Sequence, residues 1–247
     1  MAPPIPQLKR EEIEPLIEGV FHKGRSAGQA DLYALKWDGQ EALLKDFSTR
    51  PAWIRFFWGR FVIAREFRVM RRLWGVEGIP KVLATVGSYG ILMERLNAVR
   101  IPHRTETAPP IEFFDRASEL VRTIHARGIG HGDLRRKNIL IDAEGRPYLI
   151  DFATAVSVKP GITKLVLQPA FRFYERIDAF QLAEMKADFY EAQLSEEERE
   201  ALDHPPWYMR FGWFFKKRVL RLRKARHRRK LRRKFWKWWY RGGRRQQ

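Results

Sequence analysis

Two four-residue runs, Ile139–Asp142 and Tyr148–Asp151, read ILID and YLID and are separated by Ala-Glu-Gly-Arg-Pro. Short β-type runs around a Gly-containing turn predict a hairpin. Such a hairpin brings the residues flanking it, Asn138 and Asp151, to one end. Just upstream stand His131 and Asp133, so the stretch from Ile129 to Ala155 gathers four polar side chains on little chain. A carboxylate and an amide oxygen are hard donors suited to Mg²⁺, and a second carboxylate can receive a proton. Taken alone the pattern is also compatible with ordinary polar residues on a loop. His131 is open to two readings, a structural brace or a base.

The hundred residues before this stretch read as a small antiparallel sheet with one helix. Residues 1–16 form a polar lead-in. Alternating runs flank Asp38-Gly39, a hairpin signal. Ser48, Thr49 and Pro51 then predict a helix start, and the helix runs to about Trp74 with a break suggested at Gly59. KVLATVG and GILMERL are two further strands. Ile111–Arg127 has apolar residues at helical spacing, as does Arg176–Leu194, and Ser195 is placed to cap a short last helix.

His131-x-Asp133-x-x-x-x-Asn138 followed by Asp151-Phe152-Ala153 resembles the catalytic core of the protein-kinase-like fold, over roughly residues 17–190. The resemblance implies an α+β, two-lobed protein: an antiparallel-sheet N-lobe (17–96), a mainly helical C-lobe (97–203) and a basic helical tail (204–247). It implies ATP and Mg²⁺ as cofactors. In EALLK, Lys45 takes the place of the lysine that holds the α- and β-phosphates. Glu66, the one acidic residue between Phe47 and Val76, becomes its partner; the alternative for Glu66 is a solvated helix charge. ILMERL resembles the hinge, so the backbones of Glu94 and Leu96 meet adenine beside Met93. Gly24 and Gly28 lie where the glycine-rich loop belongs, without a full GxGxxG. Asn138 and Asp151 become metal ligands, Asp133 the catalytic carboxylate, and Arg135 the cation facing the moving phosphate. Asp178 resembles the helix aspartate that braces the catalytic loop, with a plain helix N-cap as the alternative.

The departures narrow the family. Gly132 replaces the arginine that pairs with a phosphorylated activation loop in many protein kinases, no APE follows, and Ala153 stands where DFG has a glycine able to take unusual backbone angles. HGD with a short following segment resembles RIO-type, aminoglycoside, choline and bacterial lipopolysaccharide kinases.

Charge separates the tail from the rest. The formal net charge is +19, and residues 206–247 hold 18 Lys and Arg with no Asp or Glu. The remainder is nearly neutral, so the charge belongs to an appendage with its own partner. Tyr208, Phe211, Phe215, Val219 and Leu222 form a helical stripe, and FWKWWY follows a basic block. Tryptophan and a basic amphipathic helix suit an anionic membrane surface; RNA or a ribosome, or a partner protein, are the other readings. Trp53, Phe56, Phe57 and Trp58 are too nearly consecutive for one core-facing stripe to bury. Cysteine is absent, which excludes disulfides. The opening MAPPIPQLKREEIEP has no apolar signal region, and no apolar run reaches the ~18–20 residues of a transmembrane helix.

These features lead to an ATP-dependent phosphotransferase peripheral to the cytoplasmic face of a membrane, with a sugar hydroxyl of a lipopolysaccharide-type glycolipid as acceptor. A RIO-like protein Ser/Thr kinase with an RNA-binding tail, or a nucleotide-binding pseudokinase scaffold, are the alternatives.

Overall fold

Asp38 and Gly39, at φ 47° and 76°, turn strand β3 (Asp31–Trp37) directly into β4 (Gln40–Asp46). Two left-handed residues at a two-residue turn match the right-handed twist of the strands they join. The computed structural model describes residues 3–158 and 162–205, with backbone only for 162–165. The chain up to Asp203 is one compact unit; the tail readings at 206–247 lie outside the described residues.

β3 and β4 sit in a six-stranded sheet with β1 (Gln7–Leu8), β2 (Ile17–His22), β5 (Val82–Val86) and β6 (Gly90–Glu94), in the order β1-β5-β6-β4-β3-β2. All neighbours are antiparallel except β1, which runs parallel to β5. Alternation along β4 sends Ala42, Leu44 and Asp46 to one face and Leu43 and Lys45 to the other. The first face carries Leu35, Ala42, Leu44, Ala84, Val86 and Leu92, and Ile13 closes this cluster.

Ile13 belongs to α1 (Arg10–Ile13) and is wholly buried. Residues 7–16 are therefore built into the sheet half and are not a loose polar lead-in. Arg10 also ion-pairs with buried Asp46 and donates to the Ser48 hydroxyl at 2.6 Å. Three scattered apolar residues (Ile5, Leu8, Ile13) have no period of their own; a sheet edge and face supply the surface that makes them core.

After β4, α2 (Ala52–Ile54), a π turn (Arg55–Gly59) and α3 (Arg60–Arg72) run on as one helical stretch. It does not break at Gly59. The wider turn keeps Ile54 and Gly59, five residues apart, on the buried side. Gly59 is needed there, since a Cβ would stand 2.8 Å from the Cβ of Phe47. Val62, Ile63, Glu66, Val69 and Met70 continue the buried face along α3.

The other half is mainly helical. In α4 (Ile111–Ala126) Phe113, Phe114, Ala117, Leu120, Val121 and Ile124 make the buried stripe, each large member contributing about 1.5–3 kcal/mol. Two small ladders hold the loop region: β7 (Val99–Arg100), β9 (Ile139–Ile141) and β10 (Pro147–Leu149), then β8 (Ile129–Gly130) with β11 (Val156–Ser157). β9 and β10 are the expected hairpin. α5 spans Ile162–Tyr190 and so begins well before Arg176, with Pro169 inside it. Proline argues for a boundary locally, but the packing of Phe171, Ile177, Phe180, Leu182, Ala183 and Met185 outweighs it. α6 (Glu196–Asp203) opens with a reciprocal cap: the Ser195 N–H donates to Glu198 at 2.8 Å and the Glu198 N–H to Ser195 Oγ at 3.2 Å. Among the described residues no helix is long and apolar enough to cross a membrane.

Candidate active site

β4, α3 and the end of the β9–β10 hairpin bring three charged side chains together. Lys45 Nζ lies 2.7 Å from Glu66 Oε2 and 2.9 Å from Asp151 Oδ1. Lys45 reaches the site because it shares the β4 face opposite the Ile13 cluster; Glu66 reaches it from the buried stripe of α3, which rules out a solvated helix charge. Burial opposes the charge on Lys45, but the two carboxylates outweigh it and raise its pKa above the ordinary amine value. Burial likewise opposes ionisation of Asp151, and Lys45 nonetheless holds that carboxyl below its usual range. Glu66, more deeply enclosed, is pushed up by burial against the pull of Lys45.

Asp151 is left-handed (φ 65°), and the residues after it, Phe152–Thr154, form a single 3-10 turn. Ala153 is not among the positive-φ residues, so alanine fits where many kinases have glycine. Arg65, beside Glu66 on α3, clamps the same segment: its Nε donates to the Ala155 carbonyl at 2.7 Å and Nη2 to that of Thr154 at 3.1 Å.

The second group forms around Asp133. The Asn138 Nδ2 donates to the Asp133 carbonyl at 2.8 Å and to its Oδ2 at 2.9 Å, which leaves the amide oxygen of Asn138 as an acceptor. The Ile150 N–H donates to the Asn138 carbonyl at 3.0 Å, so the hairpin holds Asn138 beside the strand end that carries Asp151. The fit to Mg²⁺ is good in kind: one carboxylate and one amide oxygen are the sparse protein set such an ion uses when phosphates supply the rest. Among the described residues no cluster of three His, Asp or Glu side chains could hold a metal by itself.

Arg135 is placed differently from the sequence expectation. Its Nε and Nη2 fork onto both oxygens of Asp133, so in this state it covers the carboxylate and does not project toward a phosphate. Lys137 Nζ stands 3.8 Å from the same carboxylate. The sequence alone does not distinguish it, because one cation within the run Arg135-Arg136-Lys137 carries no mark of its own.

The loop is braced from below. Asp178, on α5 and wholly buried, accepts the His131 N–H at 2.8 Å, the Gly132 N–H at 2.7 Å and a contact from His125 Nε2 at 2.9 Å. It lies mid-helix, so it is not an N-cap. His131 is a brace as well. Burial lowers its pKa against the pull of Asp178, and the neutral ring donates from Nε2 to the Ile150 carbonyl at 3.1 Å while Nδ1 accepts the Asp133 N–H at 3.3 Å. Gly132 (φ 76°) has the Tyr174 ring where its Cβ would point, so the arginine of an HRD motif has no room here. His125 has its partner 53 residues along the chain, a pairing that no local spacing reveals.

The remaining expected residues have partners of their own. Met93 packs against the core opposite Leu43. The Glu94 N–H is already bonded to the Lys81 carbonyl at 2.9 Å and its carboxylate to the Lys81 N–H at 3.0 Å, so that donor is not open to a base; Leu96 follows the end of β6. The Gly24 N–H donates to Asp31 at 2.9 Å, and the Gly28 carbonyl accepts from Trp58 Nε1 at 2.9 Å. The first bond closes the β2–β3 loop onto the start of β3, and the second ties that loop to the long helix.

The RIO domain model matches residues 58–168, a span that holds Glu66, Asp133, Asn138 and Asp151 but not Lys45. The 3-deoxy-D-manno-octulosonic acid (Kdo) kinase of Xanthomonas euvesicatoria pv. vesicatoria (strain 85-10) is 35% identical over 114 residues, 41% of this chain and 46% of that protein. That of Xanthomonas axonopodis pv. citri (strain 306) is 34% identical over the same shares. The Kdo kinase of Xylella fastidiosa (strain M23) is 28% identical over 165 residues, 60% of this chain and 63% of that protein. The fold is protein-kinase-like. The chain resembles the RIO and Kdo kinase families, and it spans about half the length of the first curated relatives it matches.

Proposed function

We propose that the protein is an ATP-dependent phosphotransferase whose acceptor is a hydroxyl of a Kdo-type sugar on a lipopolysaccharide-like glycolipid. The observation that carries this is the contact of Lys45 with both Glu66 and Asp151, next to an Asp133–Asn138 pair held on a braced loop. The acceptor class rests on the Kdo kinase relatives.

Lys45, kept charged by its two carboxylates, binds the α- and β-phosphates of ATP. Asn138 and Asp151 would hold Mg²⁺, which when bound neutralises charge on the β- and γ-phosphates. Arg135 swings off Asp133 as acceptor enters; a long exposed side chain does this quickly. Asp133 then aligns the acceptor hydroxyl and takes its proton as the new oxygen–phosphorus bond forms and the bond to ADP breaks. Arg135, freed, faces the three equatorial oxygens, where a guanidinium offers several donors. Met93, Glu94 and Leu96 border the base, and Gly24 and Gly28 the phosphates. Nothing in this scheme needs a phosphorylated activation segment, because Gly132 and Tyr174 replace the arginine that would read one.

The tail, 206–247, holds the protein at the anionic cytoplasmic face of a membrane, each basic residue near such a surface adding about 1 kcal/mol. The RIO match favours one other reading, a protein Ser/Thr kinase with an RNA-binding tail. Label from γ-labelled ATP separates them: the glycolipid reading expects label in Kdo-bearing lipid, the RIO-like reading in protein. Asp133→Asn is expected to slow transfer by about 10²–10⁴-fold, the usual worth of a positioned base, with nucleotide binding retained. Near-normal turnover in that variant would overturn the mechanism, and bound nucleotide with no transfer in the unaltered protein would leave a pseudokinase.

A further inference from the structure

Trp53, Phe56, Phe57, Trp58 and Phe61 are 68%, 54%, 73%, 50% and 52% exposed. These five rings stand within nine residues on α2, the π turn and the first turn of α3. The cause is local: the π turn fixes Ile54 and Gly59 inward, so the rings between and beside them are turned out. Exposed apolar patches of this kind mark interaction surfaces.

Charge identifies the occupant. The helical stretch 52–72 carries six arginines and one acid, Glu66, which is buried against Lys45. An anionic surface is therefore complementary, and the basic tail or a second copy of this helix is not. Within 53–61 the rings outnumber the available cations: Arg55 is spent on the Ser48 carbonyl at 3.2 Å and on the Tyr89 ring, leaving Arg60 exposed. A single-stranded nucleic acid needs cations tracking its backbone alongside each stacked base. A plane of headgroups over hydrocarbon needs clustered rings with a few cations at the rim.

We propose that the Trp53–Phe61 surface inserts into the headgroup region of an anionic bilayer, so that the protein-kinase-like unit itself, not only its tail, is seated on the membrane. This rests on the glycolipid reading above and deepens it. Trp58 links the surface to the β2–β3 loop through its bond to the Gly28 carbonyl, which sets the proposed nucleotide loop beside the bilayer.

The chain has no cysteine, so Phe57→Cys in the full-length protein can carry a single environment-sensitive NBD label, with Glu197→Cys on α6 as the comparison. On vesicles of phosphatidylglycerol and phosphatidylethanolamine, the label at 57 is expected to brighten several-fold, shift to the blue and be quenched by a bilayer-embedded nitroxide. The label at 197 is expected to stay aqueous. The triple change Trp53→Ser, Phe56→Ser, Phe57→Ser should remove the salt-resistant part of vesicle binding. An aqueous label at 57 on vesicle-bound protein, no vesicle binding at all, or a response to RNA or protein and not to vesicles overturns the proposal. Phosphate transfer to a detergent-dispersed acceptor, measured on the same labelled protein, reports on the glycolipid reading separately. Transfer with an aqueous label sinks the surface alone; insertion without transfer sinks the enzyme alone.

Discussion

Around Asp133 the protein buries polar side chains; from Trp53 to Phe61 it exposes apolar ones. Both regions invert the usual distribution, and both inversions are informative for that reason. They differ in what holds them. Glu66, His131, Asn138 and Asp178 are buried and each has a partner of matching chemistry within hydrogen-bond distance. Four of the five exposed rings have at most a neighbouring ring or an arginine, and only Trp58 is bonded to the rest of the fold. Buried polarity is therefore coupled to folding, and exposed apolarity is coupled to whatever lies outside.

The largest effect that can break this contrast is at Asp178. Asp178→Ala leaves the buried His131 N–H, the half-buried Gly132 N–H and His125 without their acceptor, and breaking a buried charged network by removing one member costs about 3–5 kcal/mol. Denaturant unfolding should show that loss together with abolished transfer. A change below about 1 kcal/mol would mean the brace is not what fixes the loop.

Lys45 sharpens the comparison through pH. Lys45→Met leaves the buried Glu66 and the part-exposed Asp151 with no cation between them. Glu66 is already pushed up by burial, and Asp151 loses the charge that holds it down. A group whose folded pKa is raised favours the folded state most below its unfolded pKa, near 4.3 for Glu, and loses that contribution as pH rises through the folded value. The variant should accordingly be most destabilised near neutral pH and recover as pH falls toward 4. In the unaltered protein Asp151 acts in the opposite sense: its contribution is present above about pH 3.9 and is lost as pH falls through its depressed folded value. Unfolding curves from about pH 7 to about pH 2 for both proteins check the two trends, the recovery of the variant above about pH 4 and the Asp151 loss in the unaltered protein below it. Parallel curves would show that Lys45 does not govern the two carboxylates.

The smallest effect belongs to the exposed helix. Trp53→Ser, Phe56→Ser and Phe57→Ser together should change folding stability by no more than about 0.5 kcal/mol per site, as surface changes do. The loss of three rings should thus cost far less than the loss of one buried carboxylate. A loss of several kcal/mol would show that these rings pack against the fold.

What the sequence determined by itself is what neighbours along the chain determine. The Asp38-Gly39 turn and the ILID–YLID hairpin follow from residues a few positions apart, whose backbone angles and alternation do not depend on the rest of the fold. The order Lys45, Glu66, Asp133, Asn138, Asp151 and the crowding of four aromatics near Trp53 are legible in the same way, as is the segregation of charge into the tail.

Tertiary structure decided the rest, because burial and pairing link residues with no shared period. Asp151 meets Lys45 from 106 positions away, and His125 meets Asp178 from 53. Ile13 becomes core only because a sheet face lies open to it. Gly59 carries a π turn and not a break because Phe47 presses on it. Arg135 sits on Asp133 because the folded loop brings its guanidinium fork onto both oxygens of that carboxylate. The sequence supplies both charges, and only the fold sets the distance between them.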